Sequence, residues 1–358
     1  MAAQEPGFFF QGGVMATSSY QLFVGIDIAA TSFTACCARA DHTPERARTF
    51  PQTPDGFSAF QSHAASFAAP AHTLVLLEAT GSYWVRLAVT LHQAGFAVSV
   101  VNPAHTHNFA RSLPTRSKTD ALDAHMLCLF AQERTPPVWT PPEQVYHELR
   151  QRLVARDGLL EMRQQARNQV HALEQWPVVI ESVREHLQSV IGELDQRISQ
   201  LEGELARVLR DGAWAESAAL LASISGVGLL TSAWLLVATL NFRACASAEA
   251  ASAYAGLVPR ARESGTSVRG RARIGHAGHA RLRTALYMAS LSGVRFNPIL
   301  RAQYERLRAA GKPDKVARCA VARKLMHVAY AVVTNKQAFD PHFGEQVRGK
   351  VEEVSRAA

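Results

Sequence analysis

Residues 21–30 read QLFVGIDIAA and residues 72–80 read HTLVLLEAT. Each is a short apolar run that ends on a carboxylate, Asp27 in the first and Glu78 in the second. Continuous apolar runs of this length, bounded by turn residues, predict strands buried on both faces. The run TSFTACCARA (31–40) continues from the first as a second strand, and FAVSVVNP (96–103) predicts another. Helical patterns occupy the intervals, DGFSAFQSHAASFA (55–68) and YWVRLAVTLHQAG (83–95), the latter closed by Gly95. Strands joined by helices imply an α/β domain with a partly parallel sheet. Its expected span is residues 21–145, with PPVWTPPEQ (136–144) as a linker at its end.

The acids gain meaning from their positions. In such a sheet, ligands gather at the carboxyl ends of strands, where Asp27 and Glu78 fall. Asp120 and Asp123 lie three apart near the start of another predicted helix, so they share one face. Carboxylates within about 4 Å of each other repel by roughly 4 kcal/mol per pair at an effective dielectric near 20. Four of them together call for a cation, and an all-oxygen donor set selects Mg²⁺, with Mn²⁺ as the alternative. Two such ions are suited to phosphodiester displacement. Taken singly, Asp27 could be a turn former and Asp120 a helix-start acid. The stretch that follows Glu78, Ala-Thr-Gly-Ser-Tyr-Trp, adds hydroxyls and an aromatic ring beside it, open between roles at the site and a helix cap.

Beyond the linker the pattern changes. Residues 146–210 are nearly free of glycine, and Leu187, Ile191, Leu194, Ile198, Leu201, Leu205 and Val208 recur in alternating steps of four and three. That is a heptad seam, predicting a coiled-coil arm or oligomerisation stalk, broken in two at Trp176-Pro177. The first half is less regular, with arginines at 156, 163 and 167. Residues 211–345 read as an all-α domain. Within it SISGVG (223–228) has the look of a helix-hairpin-helix, whose turn at Gly226 and Gly228 can offer N–H groups to a phosphate or merely connect two helices. Residues 1–20 fit no element and are expected to be a disordered extension, with Met15 as the natural start, and 346–358 read as a loose tail.

Composition sets outer limits. The chain has 358 residues, 47% hydrophobic and 19% charged, which is enough for two domains with real cores. No run of 18 apolar residues exists, so a membrane span is excluded, and no basic segment followed by an apolar one marks a secretion signal. The five cysteines form no CxxC pair, which excludes a disulfide scaffold or zinc module and fits a reducing, cytoplasmic location, nucleoid-associated when DNA is bound. The net charge of +8 is unevenly spread, with 21 Lys and Arg against 10 Asp and Glu over residues 211–358. Seven arginines (Arg260, Arg262, Arg269, Arg271, Arg273, Arg281 and Arg283) face a single acid, Glu263, within residues 256–283. Arginine interleaved with Gly, Ser and Thr suits forked contacts to phosphate, so these seven are candidate nucleic-acid ligands. Ser264 sits among them, beside Gly265, with no histidine before His276 to act as a base. A serine clamped by arginines suits attack at phosphorus, and a plain phosphate-contacting loop is the competing reading.

These residues together resemble the DEDD-type insertion-sequence transposases described as bridge-RNA-guided serine recombinases. The resemblance rests on VGIDIA, LLEATGSYW, VVNPAH, RSKTDALDAHML, SISGVG, AYAGLVPRARESGTSVRGRARIGHAGHARLRTALYMA and RKLMHVAY, and covers residues 20–345. It implies a RuvC-like (RNase H-type) N-terminal domain, a coiled coil and a C-terminal transposase domain. It places the acidic tetrad on Asp27, Glu78, Asp120 and Asp123, which would bind Mg²⁺, and the catalytic serine on Ser264. It implies a 5′-phosphoserine link to DNA with a free 3′-hydroxyl, sites shared between protomers of a homo-oligomer (dimer to tetramer), and a structured guide RNA that pairs with target and donor DNA. Thr266 and Ser267 are the local competitors for the nucleophile.

Three rival readings fit parts of the sequence. A RuvC-like metal-dependent nuclease or junction resolvase would use the four acids and water, with no covalent intermediate. GIDIAATS (25–32) is similar to the phosphate loop of actin-like sugar kinases, but no later glycine-rich nucleotide loop accompanies it. A non-catalytic nucleic-acid scaffold would leave four aligned carboxylates without a purpose.

Overall fold

The computed structural model describes residues 20–112, 119–264, 268–275 and 277–342. The chain divides between Pro141 and Pro142 into two compact units.

In the first unit, β1 (Leu22–Ile28), β2 (Ser32–Arg39) and β3 (Arg48–Pro51) form an antiparallel meander. Helix α1 (Pro54–Ala65) leads to β4 (Thr73–Glu78), and α2 (Trp84–Gln93) leads to β5 (Ala97–Val101). Both of these strands run parallel to β1, giving the order β3-β2-β1-β4-β5. Two helices complete the unit, α3 (Pro103–Ala110) and α4 (Asp120–Arg134). This mixed α/β sheet is consistent with a RuvC-like domain.

The pleat sorts the strand residues between two cores. Leu22, Val24 and Ile26 of β1 join Val75 and Leu77 of β4 against Phe57 and Phe60 of α1 and Leu87 and Leu91 of α2. Phe23 of β1 joins Leu74 and Leu76 of β4 on the opposite face, packed by Ala124, Leu127, Cys128 and Ala131 of α4. Gly25 lies between Phe23 and Asp27 on that second face. A Cβ there would sit 2.6 Å from the carbonyl carbon of Leu127, and closer still to the Cys128 nitrogen and Ala124 oxygen. The strand and the helix backbone therefore touch directly at this one residue.

The segment expected to be a linker is partly built into the unit. Trp139 donates its N–H to the Val98 oxygen at 2.6 Å, and Ser99 Oγ donates to the Pro137 oxygen at 2.9 Å. Trp139 is buried, with its ring edge-on to Trp84. Tyr20 also departs from expectation. Expected within a disordered extension, it is buried, its ring against Phe23. The rest of that extension, the tail 346–358, Thr266, Ser267 and His276 lie outside the described residues.

The second unit opens with two long helices, α5 (Gln144–Leu173) and α6 (Glu181–Asp211). Ion pairs Arg152–Glu204, Arg156–Glu202 and Arg163–Asp195 step in opposite directions along the two helices, so the helices are antiparallel. These pairs account for the arginines that interrupt the apolar pattern of α5, since they meet the acids of α6. Ile198 and Leu205 are buried in the seam. Then come α7 (Ala215–Ala222), α8 (Leu229–Thr239) and α9 (Ala248–Tyr254). They are followed by a two-stranded ribbon, β6 (Arg260–Ser264) and β7 (Val268–Arg273), and by α10 (Ala280–Phe296), α11 (Pro298–Ala309) and α12 (Asp314–Thr334).

The ribbon corrects the all-α expectation for this domain. Its sequence alternates with period two, Arg-Ala-Arg-Glu-Ser on β6, and the Gly and Ser content masked that alternation as a loop. Between α7 and α8, Gly226 has φ +105° and a Cβ there would lie 2.6 Å from Gly293 Cα in α10. Gly226 is thus required for packing, whereas a Cβ on Gly228, at the start of α8, would meet open space.

Candidate metal and strand-transfer site

Asp27 and Glu78 follow the last register pair of the parallel ladder, Ile26 opposite Leu77, and so end neighbouring strands at one level. Both continue the series that faces α4, Phe23–Gly25–Asp27 and Leu74–Leu76–Glu78. On α4, Thr119 caps the helix by accepting from the Leu122 N–H at 3.3 Å, which fixes Asp120 and Asp123 in the first turn. Those two acids extend the buried Ala124–Leu127–Ala131 stripe by one turn toward the strand ends.

The four acids meet electrostatically at Asp27. Its carboxyl is pushed up to about 6, first by burial and then by the negative charges of Asp123, Asp120 and Glu78, against one stabilising hydrogen bond from the Ile28 N–H. Each of the predicted acids therefore acts on the same group. Among the described residues, no three His, Cys, Asp or Glu side chains stand close enough to form a finished metal cluster. The donor set still fits a hard divalent cation. It is all oxygen, it is crowded with negative charge, and a cation would relieve the repulsion on its central member.

Glu78 is held more firmly than its strand-end position requires. Thr80 Oγ1 donates to one carboxylate oxygen at 2.7 Å and Thr106 Oγ1 to the other at 2.5 Å. Thr106 is fully buried on α3. Sequence reading missed it, because nothing in VVNPAHT marks a threonine as a partner for a glutamate 28 residues away. Of the residues after Glu78, Thr80 joins the site, while the Trp84 indole donates to the Gly81 oxygen at 3.1 Å and packs on Trp139. Tyr83 is exposed. Thr106→Val should lower divalent-metal affinity by about tenfold, because an oriented carboxylate loses its partner. Thr106→Ser should restore it, and isothermal titration with Mn²⁺ would check both.

In the second unit β6, which carries Arg260, Arg262 and Ser264, pairs antiparallel with β7. Glu263 stands opposite Arg269, and Ser264 opposite Val268. A bulge separates the Arg260–Arg273 and Arg262–Gly270 pairs, so Arg271 falls where the ladder is irregular. Arg281 and Arg283, also proposed as phosphate ligands, are engaged within the unit. Arg281 pairs with Asp157 and, at 3.4 Å, with Glu161, while Arg283 donates to the Ala277 oxygen at 3.0 Å.

Acids at adjacent parallel strand ends, in a chain that also carries an arginine ribbon, are compatible with an enzyme that acts on nucleic acid. Comparison with known proteins narrows that class. A DEDD-type IS110 model described as a transposase matches residues 24–175, and one described as Transposase IS116/IS110/IS902 family matches residues 218–305. The pilin gene-inverting protein of Moraxella bovis is 32% identical over 330 residues, spanning 90% of this chain and 99% of that protein. The transposase for insertion sequence element IS1328 of Yersinia enterocolitica is 23% identical over 275 residues, 70% of this chain and 80% of its own length. An uncharacterized 43.6 kDa protein of insertion element IS110 from Streptomyces coelicolor is 34% identical over 116 residues, 32% of this chain and 28% of its own. The chain belongs to the IS110 family of insertion-sequence transposases. It is a DNA transposase or recombinase, and the match to a DEDD-type domain suggests dependence on a divalent metal. No helix among the described residues is long and apolar enough to cross a membrane.

Proposed function

We propose that this enzyme cuts and rejoins the DNA of its insertion sequence through a Ser264–DNA phosphodiester, under the guidance of a structured RNA from the element. Ser264 Oγ attacks phosphorus and the P–O3′ bond breaks. The products are a 5′-phosphoserine link and a 3′-hydroxyl that carries the proton lost by the serine. Rejoining reverses these steps with a new 3′-hydroxyl. Arg260 and Arg262, which precede Ser264 on β6, hold the phosphate and neutralise the charge that builds on it. Asp27, Glu78, Asp120 and Asp123 hold Mg²⁺, or Mn²⁺ in its place, and the bound ion supplies charge neutralisation at phosphate oxygens. Arg269, Arg271 and Arg273, with the Gly228 turn, track the DNA or RNA backbone, and the α5–α6 pair assembles two to four copies.

The observation that carries this reading is the convergence on Asp27 of charge from Glu78, Asp120 and Asp123. The second support is the arginine-rich β6–β7 ribbon, whose first strand carries Ser264 together with Arg260 and Arg262. The resolvase-like alternative, cutting with water alone, leaves that serine idle. The test combines purified protein, Mg²⁺, DNA bearing the element's ends and transcript from its non-coding flank. Wild type should yield a protein–DNA adduct on a denaturing gel, mapped by mass spectrometry to Ser264, and Ser264→Ala should yield none. Cleavage by both proteins without an adduct would overturn the serine mechanism, and adduct formation unaffected by omitting the RNA would overturn the guidance.

A further inference from the structure

Asp157 is a charged residue in the middle of a long helix, yet it is only 8% exposed. Its two oxygens divide between helices. One lies 3.5 Å from Arg156, whose guanidinium also binds Glu202 of α6 at 2.6 Å, and the other receives Arg281 from the first turn of α10. The result is an unbroken chain of charges, Glu202–Arg156–Asp157–Arg281, from α6 through α5 to α10. Burial pushes the Asp157 carboxyl up from its ordinary value despite both arginines, so this contact costs desolvation. Buried pairs of this kind add little net stability compared with an apolar contact, and they fix one arrangement of the elements they join.

The element fixed here is the root of the serine ribbon. The chain enters the ribbon after Gly256 and leaves it at Ala277–Gly278–His279. A Cβ on Gly278 would lie 2.6 Å from Gly256 Cα, so the two ends cross with their backbones in contact. His279 donates its N–H to the Tyr254 oxygen at 2.8 Å, and its ring sits between Trp234 and Tyr254. Its Nδ1 accepts from the Leu282 N–H at 3.1 Å. The root is stiff in itself, and Arg281, two residues beyond it, is where Asp157 takes hold.

We propose that the Asp157–Arg281 pair is a positioning contact that sets the serine ribbon against the α5–α6 helices, so that Arg281 serves geometry and not DNA affinity. This rests on the reading of Ser264 as nucleophile, and two readouts keep the two ideas separable. The first is the rate of Ser264–DNA adduct formation compared with DNA affinity. Asp157→Asn, which keeps the shape and removes the charge, should slow the adduct by about tenfold or more while affinity and its salt dependence stay within about twofold. The exchange Asp157→Arg with Arg281→Asp should recover part of the rate, which a general loss of packing would not allow. The second needs no catalysis. Trypsin should cut between Arg260 and Arg273 faster in Asp157→Asn than in wild type, at equal resistance to urea. Should wild type form no adduct, the nucleophile reading fails and the trypsin result still judges the contact. Unchanged adduct rate and unchanged ribbon cleavage in Asp157→Asn would overturn the proposal. So would Arg281→Ala if it weakened DNA binding and flattened the salt slope, since Arg281 would then be a phosphate ligand.

Discussion

Asp27→Asn should abolish strand cleavage and, in metal-free buffer, raise the melting temperature. The two effects share one cause. Asp27 carries the burial cost of the cluster and the repulsion of Asp123, Asp120 and Glu78, which lifts its carboxyl from 3.8 to about 6. The folded chain therefore binds this proton more tightly than the unfolded chain does. Between about pH 4 and pH 6 the folded state holds more protons, and stability falls as pH rises through that window. Above about 6 the whole penalty is present. Removing the charge relieves it, and so does a divalent cation. Metal-free wild type should therefore lose melting temperature between about pH 4 and pH 6 through this group. Asp27→Asn should lack that part of the slope, and Mn²⁺ should stabilise wild type more at pH 7.5 than at pH 5. Thermal melts across that range, with and without Mn²⁺, decide the matter. Superimposable curves for the two proteins, or a variant that still cuts, would remove Asp27 from the centre of the site.

Gly25→Ala should be as damaging to activity, with a loss of stability added. The methyl group would press on backbone atoms of Ala124, Leu127 and Cys128, and no side-chain rotation can clear those. Helix α4 must retreat from β1, taking Asp120 and Asp123 away from Asp27. Overpacking of this kind costs about 1–3 kcal/mol or more. Gly158→Ala and Gly192→Ala make a matched control in α5 and α6, where a Cβ meets nothing within 4 Å. They should be neutral or stabilise by up to about 1 kcal/mol, as helix propensity dictates. Urea denaturation and cleavage assays on the three variants give the comparison. Wild-type stability and cleavage in Gly25→Ala would mean that the acids do not depend on this close approach.

The carboxylates were legible because strand ends and helix starts leave strong local marks. VGID is an apolar run stopped by an acid, and Thr119 ahead of Asp120 is a helix cap. The groups that hold those acids left weaker marks or none. Gly25 interrupts a strand run, which signals a close backbone approach, but sequence cannot say to what. Thr106 and Asp157 act on partners distant along the chain, and only the folded path shows them. The arginines were legible as a charge excess, yet composition could not divide them. Arg260 and Arg262 share β6 with Ser264, whereas Arg281 and Arg283 have partners within their own unit. The ribbon was mistaken for loop because Gly and Ser drew attention from an alternation of period two.

The segment that follows α4 borders the sheet. It lies on the outer side of β5, and four of the seven residues in PPVWTPP (136–142) are prolines. A proline nitrogen has no hydrogen to give, so this border of the sheet cannot recruit a foreign strand. Sheet-to-sheet polymerisation is blocked on the β5 side, a safeguard against clotting for a chain that works on DNA.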